Sequence, residues 1–142
     1  MQDEFVKKLI REFIGRQKIG VLSTVAESGR PEAAVIEFGD TDDLELIFDT
    51  LVTARKYENL LKHKRVAFVI GWDEDITVQY EGEAYELAGE EKDKYKEIYF
   101  QKNPKVQKWE AVPEIRFFKV VPKWVRYSNL KVHPWEVYEI KF

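Results

Sequence analysis

The chain has 142 residues, 44% hydrophobic and 14% aromatic, enough to fill a core, and the expected organisation is a single domain over residues 1–142. Its 35% charged residues sum to a net charge of -3, so no basic excess drives binding to nucleic acid. The absence of cysteine excludes disulfides and thiolate chemistry, and two isolated histidines, His63 and His133, argue against a metal centre.

No apolar run approaches the roughly 20 residues that span a bilayer, and no signal-peptide pattern opens the chain. The expectation is therefore a cytoplasmic protein with no membrane partner.

Taken in order, Asp3 is placed to cap a first helix. Its apolar stripe is Phe5, Leu9, Ile10, Phe13 and Ile14, and Gly15 closes it. Ile19 to Val25 alternates as a strand. Glu27 to Pro31 is a turn in which Gly29 can take a positive φ, and Ala33 to Phe38 is the returning strand. After a second turn at Asp40 to Asp43, Leu44 to Asp49 reads as a third strand, with Leu44, Leu46 and Phe48 on one face. These three form a meander. Ala54 to Leu61 continues as a helix, with Thr53 as its N-cap.

Arg65 to Gly71 is nearly all apolar and reads as a strand buried on both faces. Asp73, Glu74 and Asp75 sit in a turn, where a solvated tip is the simplest reading. Ile76 to Leu87 is a long alternating strand, and Gly82 in its middle marks a bulge or a bend. Gly89 to Gln101 is a second long helix burying Tyr95, Ile98 and Tyr99. Val106 to Val112 is either another helical turn or a loop. Glu114 to Val121, Lys123 to Tyr127 and Trp135 to Phe142 are three further strands, the first two separated by Pro122. Strands joined by short turns, without βαβ alternation, point to an antiparallel barrel with helices over its ends and open seam.

The chemistry concentrates between Leu44 and Lys62. Arg55 and Lys56 fall in the first turn of a helix, at the positive end of its dipole, where cations are disfavoured by about 0.3–1 kcal/mol each. Open backbone N–H groups, two cations and the hydroxyls of Thr50 and Thr53 describe an anion pocket. The alternative is a solvated helix start whose cations pair with nearby carboxylates. No nucleophile elbow, dinucleotide fingerprint or P-loop pattern occurs.

Three stretches share one pattern: GRPEAAVIEF from Gly29, LIFDTLVTARKYENLLKHKRVAFVI from Leu46, and ITVQYEGEAYEL from Ile76. In this order and spacing they resemble the pyridoxamine 5′-phosphate oxidase-like family of FMN-binding split barrels. The resemblance implies a mainly β, antiparallel split barrel with flanking helices. It also implies FMN as cofactor, held at a homodimer interface, and an oxidoreductase acting on a small molecule with a separate electron donor.

By that resemblance Arg55 and Lys56 hold the FMN phosphate, with Thr53 in support, because Ala54 stands where the family often has a serine. Thr50 lies at the flavin, the backbone of Ala34, Val35, Ile36 and Glu37 runs along the ring, and Thr77 and Gln79 reach the ring or ribityl chain. Trp109 or Trp124 could stack on a partner's flavin or serve only as a core residue. Ser128 replaces a tryptophan of the pyridoxine phosphate oxidases proper, and their Arg-and-His substrate motif is missing around His133. The resemblance therefore implies a substrate other than pyridoxamine phosphate. A flavin, deazaflavin or haem binding module of the same fold, without turnover, is the alternative. An unrelated small barrel that binds nucleic acid through surface aromatics is a third reading, against which the acidic balance argues.

Overall fold

The computed structural model describes residues 2–142. Its strands are β1 (Ile19–Val25), β2 (Pro31–Glu37), β3 (Gly39–Asp40), β4 (Leu46–Leu51), β5 (Arg65–Ile70), β6 (Ile76–Glu86), β7 (Ile115–Asn129) and β8 (Glu136–Lys141). Its helices are α1 (Gln2–Arg16), α2 (Arg55–Lys62) and α3 (Gly89–Lys102), and a 3₁₀ segment covers Pro104–Ala111. The strands form one antiparallel sheet in the order β2-β1-β5-β6-β7-β4-β3, with β8 also on β7. The sheet curls into a half-barrel whose split lies between the edge strands β2 and β3.

The first three predicted strands do not form a meander. β1 and β2 pair as a hairpin around Gly29, which takes φ of 90°, but β4 pairs with β7 instead of β2. Leu44 stands outside the strand, at a φ of 63°. Helix α1 begins before Asp3 and runs through Gly15, so neither residue terminates it. Val6 takes the buried position expected of Phe5, whose ring stays 58% exposed beside Tyr138.

Strand β5 buries only one face: Val66, Phe68 and Ile70 point inward while Val69 is 41% exposed. The two strands expected on either side of Pro122 are one 15-residue strand. Along one edge β7 pairs with β6 from Phe118 to Asn129. Along the other it pairs with β4 up to Val120 and with β8 from Trp124. Pro122 falls at the changeover, where a missing backbone N–H costs no ladder bond.

Opposite it, Glu81 pairs with Trp124 and Gly82 with Pro122, the register shift of a bulge. A Cβ on Gly82 would lie 2.5 Å from the Val121 carbonyl oxygen, which explains the glycine.

The core has two parts. Val6, Ile10, Phe13 and Ile14 of α1 pack on the inner face of the sheet, where the Phe48 and Phe118 rings stack at 5.4 Å. Tyr95, Tyr99 and Phe100 of α3, with Val106, cover Ile47, Ile115 and Phe117 on the other face of β4 and β7. No helix of the described residues is long and apolar enough to cross a membrane.

The close approach at the bulge yields a direct test. Gly82→Ala forces backbone against the new methyl and is expected to destabilise the fold by about 1–3 kcal/mol. Urea denaturation would measure this, and an unchanged midpoint would show that the bulge yields without cost.

Candidate functional site

The site is built where α2 meets the edge of the sheet. α2 is held on its inner side by buried Leu60, by Tyr57 edge-on to the Phe118 ring, and by Asn59. Asn59 Nδ2 donates to Thr24 Oγ1 at 2.9 Å and to Glu32 Oε1 at 2.8 Å, tying the helix to β1 and β2. At the other end Lys62 Nζ pairs with Glu27 at 2.5 Å, in the β1–β2 turn.

These contacts fix where the helix starts. Arg55 and Lys56 occupy its first two positions, within the first turn as the sequence reading expected but one residue nearer the start. Thr53 does not cap it: the N-cap is Ala54, in an extended conformation and without a side-chain cap bond. The Ala54 N–H goes to the Leu51 carbonyl and the Tyr57 N–H to the Ala54 carbonyl, which leaves the N–H groups of Arg55 and Lys56 to open on a groove.

That groove is small, about 100 Å³, and lies between the α2 N-terminus and the β1–β2 hairpin. It is lined by Thr24, Glu32, Ala33, Ala34, Arg55 and Lys56, together with Leu22 and Ala54. Glu32 is its countercharge. The carboxylate has little exposure and sits 3.1 Å from Arg55 and 3.5 Å from Arg30. Its pKa is lowered, first by the Asn59 hydrogen bond and then by the two guanidinium groups. The bland reading of Arg55 thus holds in part, because it has a carboxylate partner. Lys56 is half-buried, and desolvation lowers its pKa, an effect that attraction to Asp49 partly offsets.

Lys56 also belongs to a second cleft of about 330 Å³. Here Val35, Ile36 and Glu37 of β2 face Asp49 of β4, Tyr99 of α3 and Trp109 of the 3₁₀ segment, with Ile19 and Val106 at the rim. Val35 and Trp109 leave 63% and 44% of their surface uncovered. Asp49 Oδ2 is buried and has no hydrogen-bond partner. Burial raises the Asp49 pKa to about 6, with Glu37 pushing the same way and Tyr99 and Lys56 opposing. One end of the seam thus suits an anion. The other offers apolar flats and an unmatched acceptor.

The remaining expected residues are dispersed. Thr50 is 3% exposed, and its hydroxyl donates to the Leu51 carbonyl at 3.3 Å without lining either cavity; Thr53 is exposed. Thr77 and Gln79 lie on the outer face of β6, away from Arg55 and Lys56. Register places Val35, Val21, Val69 and Gln79 in one row across that face. Gln79 lines a separate hollow there with Ser23, Ala67 and Trp124.

Sequence reasoning missed Asp49, Glu32, Asn59 and Tyr99. A carboxylate between Phe48 and Thr50, at the end of the strand read from Leu44 to Asp49, was the available signal for Asp49.

A family model described as pyridoxamine 5′-phosphate oxidase matches residues 6–129. A pyridoxine/pyridoxamine 5′-phosphate oxidase of Burkholderia lata is 28% identical over 94 residues, 66% of this chain and 44% of that protein. The chain thus aligns with less than half the length of that curated relative. A haem-binding protein from Mycobacterium smegmatis superposes with a TM-score of 0.83 at 15% identity, over 95% of this chain and 57% of that one. General Stress Protein 26 from Bacillus anthracis gives 0.72 at 23% identity, over 95% and 98% of the two chains. These structural likenesses concern the fold.

The raised Asp49 pKa makes stability depend on pH. The folded state holds this proton more tightly than the unfolded one, so its contribution is full below pH 4 and is lost as pH rises through 6. Asp49→Asn, which cannot ionise, should be more stable than the parent by about 1–3 kcal/mol at pH 7.5 and equal to it near pH 4. Thermal melts at the two pH values would test this. A variant destabilised equally at both would refute an electrostatic origin.

Proposed function

Since this chain belongs to the pyridoxamine 5′-phosphate oxidase family, we propose that it binds FMN in the seam between β2 and α2 and works as an oxidoreductase. The observation that carries the reading is the uncapped start of α2, where Arg55 and Lys56 open on a groove along an edge strand. Phosphate meets two cations and open N–H groups there, and each local penalty of the helix start becomes a contact. The edge of β2, through Ala34 to Glu37, offers backbone groups that no neighbouring strand uses, and Val35 and Trp109 offer apolar surface for a flat ring. Two-electron exchange between a reduced donor and a small organic acceptor is the chemistry FMN would supply. The protein's part is to hold the phosphate, orient the ring and exclude water.

The reading includes a cytoplasmic homodimer. Exposed Ile19, Val35 and Val69 share the outer face of the sheet with the small residues Ser23, Ala33 and Ala67, a surface suited to burial against a second copy. In that assembly Thr77, Gln79 and Trp124 serve a flavin held by the other protomer. Haem is the less supported ligand: His63 and His133 are exposed and line neither cavity. A deazaflavin with a phosphate would use the same Arg55 and Lys56 contacts.

The absorption spectrum of the purified protein after FMN addition and desalting tests the proposal, and a colourless protein would overturn it. Arg55→Ala with Lys56→Ala should weaken FMN binding by about 10²–10⁴-fold, the loss of two charge-assisted phosphate contacts. Melting without FMN should stay nearly unchanged.

Glu32→Gln removes the fixed negative charge that competes for Arg55 and should tighten FMN binding by about tenfold. Weaker binding in that variant would show instead that Glu32 serves to hold Arg55 in position.

A further inference from the structure

We propose that Asp49 is a positioning residue for the ring end of the ligand, its carboxylate accepting a hydrogen bond from an N–H of a planar heterocycle seated in the Asp49–Trp109 cleft. The inference rests on the FMN reading and adds to it the group that orients the ring.

A buried acceptor without a partner is uncommon in a finished fold, and it signals a donor that comes from elsewhere. Among the described residues Asp49 Oδ2 is the only buried side-chain polar atom in this position. The Tyr99 hydroxyl of α3 lies near enough to act on Asp49 as a donor, yet Oδ2 is left without a hydrogen bond of ordinary geometry. Lys56 of α2 attracts it, Tyr99 of α3 opposes its shift, Glu37 of β2 repels it, and β7 presents apolar Phe117 opposite. An ionised carboxylate only accepts, so the complementary ligand atom must donate.

The cleft supplies the rest of the description. Val35 and Trp109 give exposed apolar flats on its walls, and its volume of about 330 Å³ exceeds that of the groove at Arg55. Lys56 lines both cavities, so an anionic head at Arg55 and a ring at Asp49 can belong to one molecule. An imide or amide N–H within a flat, otherwise apolar ring meets these terms. A second phosphate does not, because it would face Asp49 and Glu37.

Riboflavin, which carries the ring without the phosphate, separates the two ends. Its affinity, read by fluorescence quenching, should fall about 10- to 100-fold in Asp49→Asn, since a charge-assisted bond becomes a neutral one. It should be unaffected by Arg55→Ala, because Arg55 lines the phosphate groove and not the Asp49 cleft. In the parent protein, riboflavin and FMN should both bind about tenfold more weakly at pH 5 than at pH 7.5, as the carboxylate takes up its proton, whereas Asp49→Asn should be flat across that range.

Asp49→Asn is not expected to be lost to misfolding, because it removes a buried charge, and Asp49→Glu should restore part of the pH dependence. FMN bound with the Arg55 and Lys56 dependence, but with no response to pH or to Asp49→Asn, would overturn the role of Asp49 and leave the FMN reading standing. Failure of the parent protein to bind FMN would overturn both.

Discussion

The amide of Asn59 holds the two walls of the groove together. It is 7% exposed, and its Nδ2 serves Thr24 on β1 and Glu32 on β2 at once. A buried amide that lost either acceptor would carry an uncompensated donor, so helix and hairpin are locked in one relative position. That lock sets how far Arg55 and Lys56 stand from the edge of β2. It also fixes Glu32, whose other carboxylate oxygen faces Arg55 at 3.1 Å. The charge balance of the groove is thus a consequence of one structural amide.

The same balance shows where the fold accepts local disadvantage. Elsewhere its buried polar groups are matched: the Tyr80 hydroxyl donates to the Leu44 carbonyl at 2.6 Å, Asn103 to the Phe38 carbonyl at 2.7 Å, and Lys102 to Asp40 at 2.6 Å. Around the seam this pattern fails. Cations stand at a helix N-terminus without a cap, a carboxylate keeps an oxygen unmatched, and Val35 and Trp109 remain uncovered. Departures of this kind tend to gather where a fold meets a ligand or a second chain, because such a contact can offset them.

Local features of the fold were legible in the sequence because their causes are local. Gly29 and its neighbours marked the β1–β2 turn, alternation marked β1 and β6, and Gly82 marked the bulge. The start of α2 placed Arg55 and Lys56 correctly. What depended on distant partners was not legible. Nothing between Leu46 and Leu51 reveals that their partners are Val120 to Ile115 and not the preceding strand. Pro122 looked like an interruption because its harmlessness depends on β4 ending and β8 beginning beside it. β5 looked buried on both faces because Ala67 and Val69 are apolar, although Val69 is 41% exposed. The site divides in the same way: its cations were visible in sequence, but Glu32, Tyr99 and Asp49 meet only after β2, α3 and β4 have been brought together.

An edge strand exposes backbone donors and acceptors that invite uncontrolled pairing, and proteins usually blunt it with charge, proline or a cover. β2 has Pro31 at its start and Glu32 and Glu37 along it, which discourages another strand from adding there. Yet the part between them, Ala33 to Ile36, is uncharged and carries small or apolar side chains. α2 lines a groove with one end of this stretch, and the 3₁₀ segment lines a cleft with the other. The elements that flank this open edge, α2 and the 3₁₀ segment, are also the ones that bring Arg55, Lys56 and Trp109 to the two cavities.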